Sequence, residues 1–183
     1  MQIQARVLLA LFFAVTMMLP VLHAEAASKQ ELDANVKATL SKLYKERPAA
    51  RELGKKARGI LVFPNVVKGG IGIGGEYGEG AMLVGHRIDA YYRTISASIG
   101  FQLGAQARSQ VIMFMTSSAL NKFLNSQGWE AGVDGSVAIA EFGAGGSITT
   151  ETAKAPIIGF ILDSKGLMYN LTLEGSKISE IEK

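Results

Sequence analysis

The chain contains no cysteine, and that absence closes several routes at once. No disulfide can brace the fold in any compartment, no thiolate can serve as nucleophile or zinc ligand, and no lipid-modified cysteine can anchor the protein. Histidine is nearly as scarce. Only His23 and His86 occur, and His23 falls in an N-terminal apolar segment. A zinc site takes three or four ligands, usually cysteine or histidine, so one remaining histidine argues against it. A Ser–His–Asp site would have to use His86, which stands in Gly85-His86-Arg87, a turn sequence expected at the surface. Neither a strained nucleophile elbow nor a glycine-lysine-serine phosphate loop is present. Past residue 22 no apolar run approaches the roughly twenty residues that cross a bilayer.

Two further patterns fail on context. Gly70, Gly72 and Gly75 satisfy G-x-G-x-x-G, but the dinucleotide fingerprint needs a helix directly after it. Glu76-Tyr77-Gly78-Glu79-Gly80 is a poor helix start, and no βαβ rhythm surrounds it. Glu76 and Glu79 could form a carboxylate pair, yet three residues apart on a strand they face opposite sides. Asp134 in Val133-Asp134-Gly135 fits turn chemistry. No catalytic residue, metal, cofactor or nucleic-acid partner is expected, and the chain reads as a non-enzyme.

The N-terminus reads as a secretory signal: Arg6 supplies the charge, Val7 to Leu22 the apolar core, and Ala24-Glu25-Ala26 the small-residue site, with cleavage after Ala24 as the variant. The apolar run of about sixteen residues is short for an uncleaved spanning anchor. Removing residues 1–26 leaves 157 of the 183 residues, enough for one domain with a core. Residues 27–183 are taken as that domain, with 27–58 a helical arm and 59–183 a β-rich body. Charge is uneven along it. Ser28 to Lys68 carries ten Lys/Arg against four Asp/Glu, and Gly69 to Lys183 eight against eleven. Such asymmetry fits an acidic partner or simply the solvated side of a helix.

Ser28-Lys29-Gln30-Glu31 is a capping-box signature. Leu32, Val36, Leu40, Leu43 and Tyr44 then form one apolar stripe, which predicts a helix from about Lys29 to Glu46. A second helix is expected from Pro48, at a first helical position, to about Ala57. The stripe is suited to packing on the body, as most amphipathic helices do; the other reading lays the arm on a membrane. The stretch from Ala57 to Leu83 organises the rest of the chain. Strands are expected at Ile60–Phe63, Ile71–Tyr77 and Ala81–Val84, with Pro64 as a break. Gly70, Gly72 and Gly74 at alternate positions would bare one strand face for close approach. In Thr94 to Gly104, Ile95, Ala97, Ile99, Phe101 and Leu103 alternate with polar or small residues, predicting a strand with its apolar side buried. Gln110–Thr116 reads as a central strand and Leu120, Phe123 and Leu124 as a short helix capped by Ser117 or Ser118, with Gly128 as stop. Val133–Ile148 reads as a second strand region of small residues, and Ile157–Asp163 with Leu167–Leu173 as a hairpin.

Gly59, Leu61, Val62, Phe63, Pro64, Gly69, Gly70, Gly74, Gly75, Tyr77, Gly78 and Gly80 together resemble the opening motif of the SYLF domain. Gly100-Phe101-Gln102-Leu103-Gly104 is similar to its internal G-x-Q-x-G segment, and Ser164–Leu167 with Leu173-Glu174-Gly175 to its closing hairpin. The resemblance spans roughly Glu31 to Ile178. It implies a lipid-binding module with affinity for anionic headgroups, phosphoinositides in eukaryotic members that also regulate actin. An exported bacterial member would meet phosphatidylglycerol or cardiolipin instead. Only the glycine and Phe-Pro motifs carry over residue by residue, and these look structural. The expected lipid contacts, Lys55, Lys56, Arg58 and Lys68, rest on charge and on nearness to that motif. The expected location is the periplasm, peripheral on an envelope membrane. A structural or protein-interaction component of the envelope, with a protein partner, is the alternative. A membrane β-barrel fits poorly, because too few segments alternate over ten residues. The expected fold is α+β: N-terminal helices and a short internal helix packed on a largely antiparallel, glycine-rich β-sandwich or barrel-like body.

Overall fold

Ser28 opens the first helix as its sequence requires, its hydroxyl oxygen accepting from the Glu31 amide at 3.2 Å. A computed structural model of the chain describes residues 28–71, 73–99, 104–140, 148–162, 173 and 175–183. Helix α1 is Lys29–Glu46 and α2 is Pro48–Lys56, with Pro48 in the first turn. Four long strands follow: β1 Gly59–Ile71, β2 Ile73–Val84, β3 Arg87–Ile99 and β4 Gly104–Phe114. Helix α3 is Ser117–Leu124, β5 Trp129–Glu130, β6 Ala138–Ile139, α4 Thr150–Lys154, β7 Ile157–Leu162 and β8 Lys177–Ile181. The strands form one sheet in the order β5-β8-β3-β2-β1-β4-β7-β6, antiparallel except for β6 beside β7. The α+β expectation holds. The sandwich alternative does not, since the described strands make a single sheet with helices on both faces.

That sheet curls. Trp129 on β5 and Phe114 on β4 are five strands apart, about 24 Å in a flat sheet. Their ring centroids lie 6.5 Å apart. The concave side is therefore the one bearing Leu61, Phe63, Met82, Tyr92, Ile112, Phe114 and Trp129, and Phe123 of α3 fills it. Phe123 stands 4.9 Å from Phe114, 5.1 Å from Tyr92 and 5.7 Å from Trp129, ring to ring. The convex side bears Ile60, Val62, Ala81, Tyr91, Val111, Met113 and Phe160, covered by Leu32, Val36 and Leu43 of α1 and Ala50 of α2. The apolar stripe of α1 thus packs on the sheet. Tyr91 fixes it there, donating to Asp33 at 2.7 Å and accepting from Lys29 at 2.5 Å. Burial by itself would raise the Asp33 carboxyl, but the hydrogen bonds it accepts from Tyr91 and, at 3.1 Å, from Lys29, with the Lys29 and Lys37 charges, prevail and hold it below its usual value.

Pro64 does not end a strand. The register passes from Val62↔Ala81 to Asn65↔Glu79, one extra residue in β1, and the same step appears against β4. A bulge tolerates a residue with no amide donor, and the Ser109 hydroxyl donates to the Pro64 carbonyl at 2.8 Å. The extra residue puts Val66 and Lys68 on the concave side, in line with Leu61 and Phe63, and sends Asn65 and Val67 outward. It also presses β1 onto β2. A Cβ at Gly80 would lie 2.2 Å from the Val62 carbonyl oxygen, and one at Gly78 2.9 Å from that of Asn65. Close approach therefore falls at Gly78 and Gly80. Gly70 and Gly74, expected on one strand with Gly72, lie on two, paired across the β1–β2 hairpin, and Gly72 is outside the described residues.

The alternation at Thr94–Ala97 is inverted. Thr94 is 2 % exposed and Ile95 45 %. The concave side is the covered one here, while α1 reaches only the level of Tyr91, so the apolar side stays bare. Elsewhere Thr116, not Ser117 or Ser118, caps α3, and Val133–Ile148 yields only the two residues of β6 as strand among those described. The expected leader at 1–26, Gly100–Leu103 and the Asp163–Gly166 turn lie outside the described residues.

Gly80→Ala should lower stability by about 1–3 kcal/mol in urea unfolding. Gly69→Ala, where a Cβ meets nothing within 4 Å, should change it by less than about 0.5 kcal/mol. Burial, aided by the Glu180 and Asp89 charges, pushes the Tyr92 hydroxyl up to about 12. Its folded value exceeds the unfolded one near 10, so its contribution is intact below about pH 10 and is lost as pH rises toward 12. Tyr92→Phe should flatten the alkaline decline measured by pH-dependent unfolding.

Candidate functional site

One end of the sheet gathers the cations expected from the sequence. Lys55 and Lys56 occupy the last turn of α2, and Arg58 follows at once, its amide pinned to the Phe114 carbonyl at 2.8 Å. The Gly85–His86 turn arrives beside them, with both residues in the left-handed region (φ 57° and 68°), and carries Arg87. His86 is exposed in a turn, as its sequence context predicts. Lys55, Arg58, His86, Leu40 and Leu83 border a hollow of about 40 Å³. That volume holds roughly one water, whose share of liquid is about 30 Å³, and it is too small to enclose a phosphate headgroup. The cluster is a surface. Lys55 is tied to Glu52 at 2.6 Å with both side chains largely in water, a pair that adds little stability. Gly54 lets the α1–α2 corner close, since a Cβ there would strike the Tyr44 hydroxyl at 2.0 Å.

Lys68 does not join them. It lies nine residues along β1 from Gly59, about 30 Å away, and points to the concave side. Its ammonium is 3.3 Å from Glu76, whose other oxygen takes the Arg108 guanidinium at 2.6 Å. The Gln110 side-chain amide lies against the same guanidinium at 3.1 and 3.2 Å, a place that suits its carbonyl oxygen as acceptor. Glu76 and Arg108 are each 8 % exposed and Lys68 15 %. A carboxylate held between two cations is not available as a base, and the arrangement is structural. Glu79 faces the other side, as strand alternation demands, and pairs with Lys183 at 2.7 Å. Sequence reasoning missed Arg108 and Gln110, because their link to Glu76 depends on the pairing of β1 with both β2 and β4.

A third locus is a cavity of about 500 Å³ beside α3, bordered by Thr116, Lys122, Trp129, Val137, Pro156 and Ile157. Lys122 donates to the Asp134 carbonyl, and the Asp134 carboxylate accepts from the Glu130 amide at 2.7 Å, the turn role its sequence suggested. The described residues contain no cluster of three or more metal-ligating side chains, and no helix among them is long and apolar enough to cross a membrane. The glycines at 70 and 75 lead into strand β2, not a helix, which removes the dinucleotide geometry.

Comparison with known families matches residues 95–183 to the one described as Ysc84, Las17-binding protein actin regulator. Over that span the chain is similar to the SYLF-domain family. Comparison with curated proteins yields no match. The SYLF match begins on β3, whereas the glycine motif that resembles the family's opening lies before it, on β1 and β2. Those two strands sit between β3 and β4 in the sheet. The matched SYLF segment therefore has its first two strands joined only through the hairpin that precedes it, and the two parts make one sheet.

Removing one partner of a buried ion network leaves an uncompensated charge, at about 3–5 kcal/mol. Glu76→Gln strands two cations and should destabilise by about that much in chemical unfolding. Lys68→Gln, which leaves the tighter Arg108 pair intact, should cost distinctly less.

Proposed function

We propose that this SYLF-like chain is an exported, non-enzymatic module that attaches peripherally to anionic phospholipid surfaces of the bacterial envelope, with Lys55, Lys56 and Arg58 as its charged contacts. The observation that supports this most is the convergence of α2, the start of β1 and the Gly85–His86 turn into one cationic surface, whose own hollow of about 40 Å³ is too small for a headgroup. Such an end suits attraction to a charged surface better than recognition of one lipid. A basic residue at an anionic membrane is worth about 1 kcal/mol, so three give about 3 kcal/mol, a reversible attachment that fades as salt shortens the Debye length. Lys68, held by Glu76 on the far part of the sheet, is assigned a structural role.

A protein partner in the envelope is the second reading. The family's description as a Las17-binding actin regulator favours it, since it marks the fold as one able to face proteins.

Co-sedimentation of residues 27–183 with phosphatidylglycerol-containing and neutral vesicles separates the two. Reversing Lys55, Lys56 and Arg58 to glutamate should weaken anionic-vesicle binding by at least about a hundredfold and leave the unfolding midpoint nearly unchanged. Binding that survives the reversal would remove the cationic end from the account. No vesicle binding at all, together with a discrete crosslinked partner, would favour the protein reading.

A further inference from the structure

Three of the large apolar side chains exposed on the described surface stand side by side in one row across the convex side of the sheet. Val67 pairs with Tyr77 and Tyr77 with Ile95 on adjacent strands, at 43 %, 47 % and 45 % exposure. Exposed Ala107 extends the row on β4. The next row out holds Gly69 and Gly75, where a Cβ would find respectively nothing within 4 Å and a single carbonyl oxygen at 3.5 Å, and then exposed Ala97. Two residues beyond those glycines the sheet reaches its hairpin end at Ile71 and Ile73. The row thus lies about 13 Å from that end, and from there a broad surface can reach it without meeting α1, which is fixed at Tyr91.

The setting selects the occupant. Four strands by two rows cover about 19 by 14 Å, or roughly 270 Å², well below the about 800 Å² per partner of a stable dimer. Exposed Arg93 and Lys177 flank the row; Glu79 beside Arg93 takes Lys183 at 2.7 Å and the Tyr77 hydroxyl at 2.8 Å, and Glu130 stands next to Lys177 on β5, which leaves the cations in excess at the border. Apolar side chains including a tyrosine, with cations at their border, match the interfacial zone of an anionic bilayer.

We propose that the Val67–Tyr77–Ile95 row inserts into the interface of an anionic bilayer and supplies the salt-resistant part of membrane attachment. This rests on the lipid-binding reading and adds a second, apolar contact at the opposite end of the sheet from Lys55, Lys56 and Arg58.

The purified protein is tested on phosphatidylglycerol/phosphatidylcholine vesicles in low salt and in about 1 M salt, where the Debye length falls to about 3 Å. Val67→Ser, Tyr77→Ser and Ile95→Ser together should reduce high-salt binding by at least about tenfold. A separate Tyr77→Trp variant should show emission quenched by lipids brominated on the acyl chain, against the constant signal of buried Trp129. Wild-type binding without any quenching in the Tyr77→Trp variant, or high-salt binding unchanged in the serine variant, overturns the insertion while leaving lipid binding in place. A wild-type protein that binds no vesicle overturns both, and a serine variant that then loses a crosslinked protein reassigns the row to that partner.

Discussion

A single extra residue in β1 governs which side chains the central strand of this sheet hides beyond Pro64. Up to Phe63 the strand places its large apolar residues on the side of Met82 and Ile112, the partners of Leu61, and an uninterrupted ladder would then turn Asn65 inward and Val66 outward. The bulge at Pro64 shifts the pattern by one. Val66 continues the concave core, Lys68 comes opposite Glu76, and Arg108 on the other neighbour closes the ion network. A shift of one position exchanges the faces of everything beyond it on that strand, so Lys68 among the buried charges and Val67 in the bare convex row have the same origin. The glycines at 78 and 80 accommodate the pressure this bend puts on β2.

The resulting sheet has two unlike ends. Near Gly59 it is covered on both sides, by α1 and α2 on the convex face and by the Phe114, Phe123 and Trp129 rings in the curl. Toward Ile71 the inside turns polar and the outside is uncovered. An ordinary small domain would bury its apolar alternation and wet its polar one. Here the polar side is enclosed, at the desolvation cost of three charged groups offset by mutual pairing, and the apolar side faces out. On the proposed function, cationic attraction and apolar contact are assigned to different ends, which separates how the protein is drawn to a surface from how it is held there.

Local signals survived in the structure where local forces decide. Ser28 caps α1 and the Leu32–Val36–Leu43 stripe is buried because a helix start and one amphipathic face need no knowledge of distant residues. Asp134 and the Gly85–His86 turn are legible for the same reason. The cationic group was legible only in part: Lys55, Lys56 and Arg58 are neighbours in sequence and remain so in space, whereas Lys68 is carried off along a thirteen-residue strand. Ile95 was misplaced because alternation identifies two faces and not which of them is covered. Covering depends on how far α1 extends and on what the curl encloses. The short β8 carried too little pattern to stand out, and its place is set by pairing with β3, more than eighty residues earlier in the chain.

The margins of the sheet have a bearing on solubility. The strand order ends on β5 and β6, each only two residues long. Long open edges recruit strands from other chains, and short margins deny them a continuous ladder. An exposed apolar face next to a long free edge would invite fibrous stacking, in which backbone pairing and side-chain contact reinforce each other. Among the described residues the ladder steps in from both sides, β8 covering β3 only as far as Ile95 and β7 covering β4 only from Ser109, so the apolar row lies where the described pairing runs out.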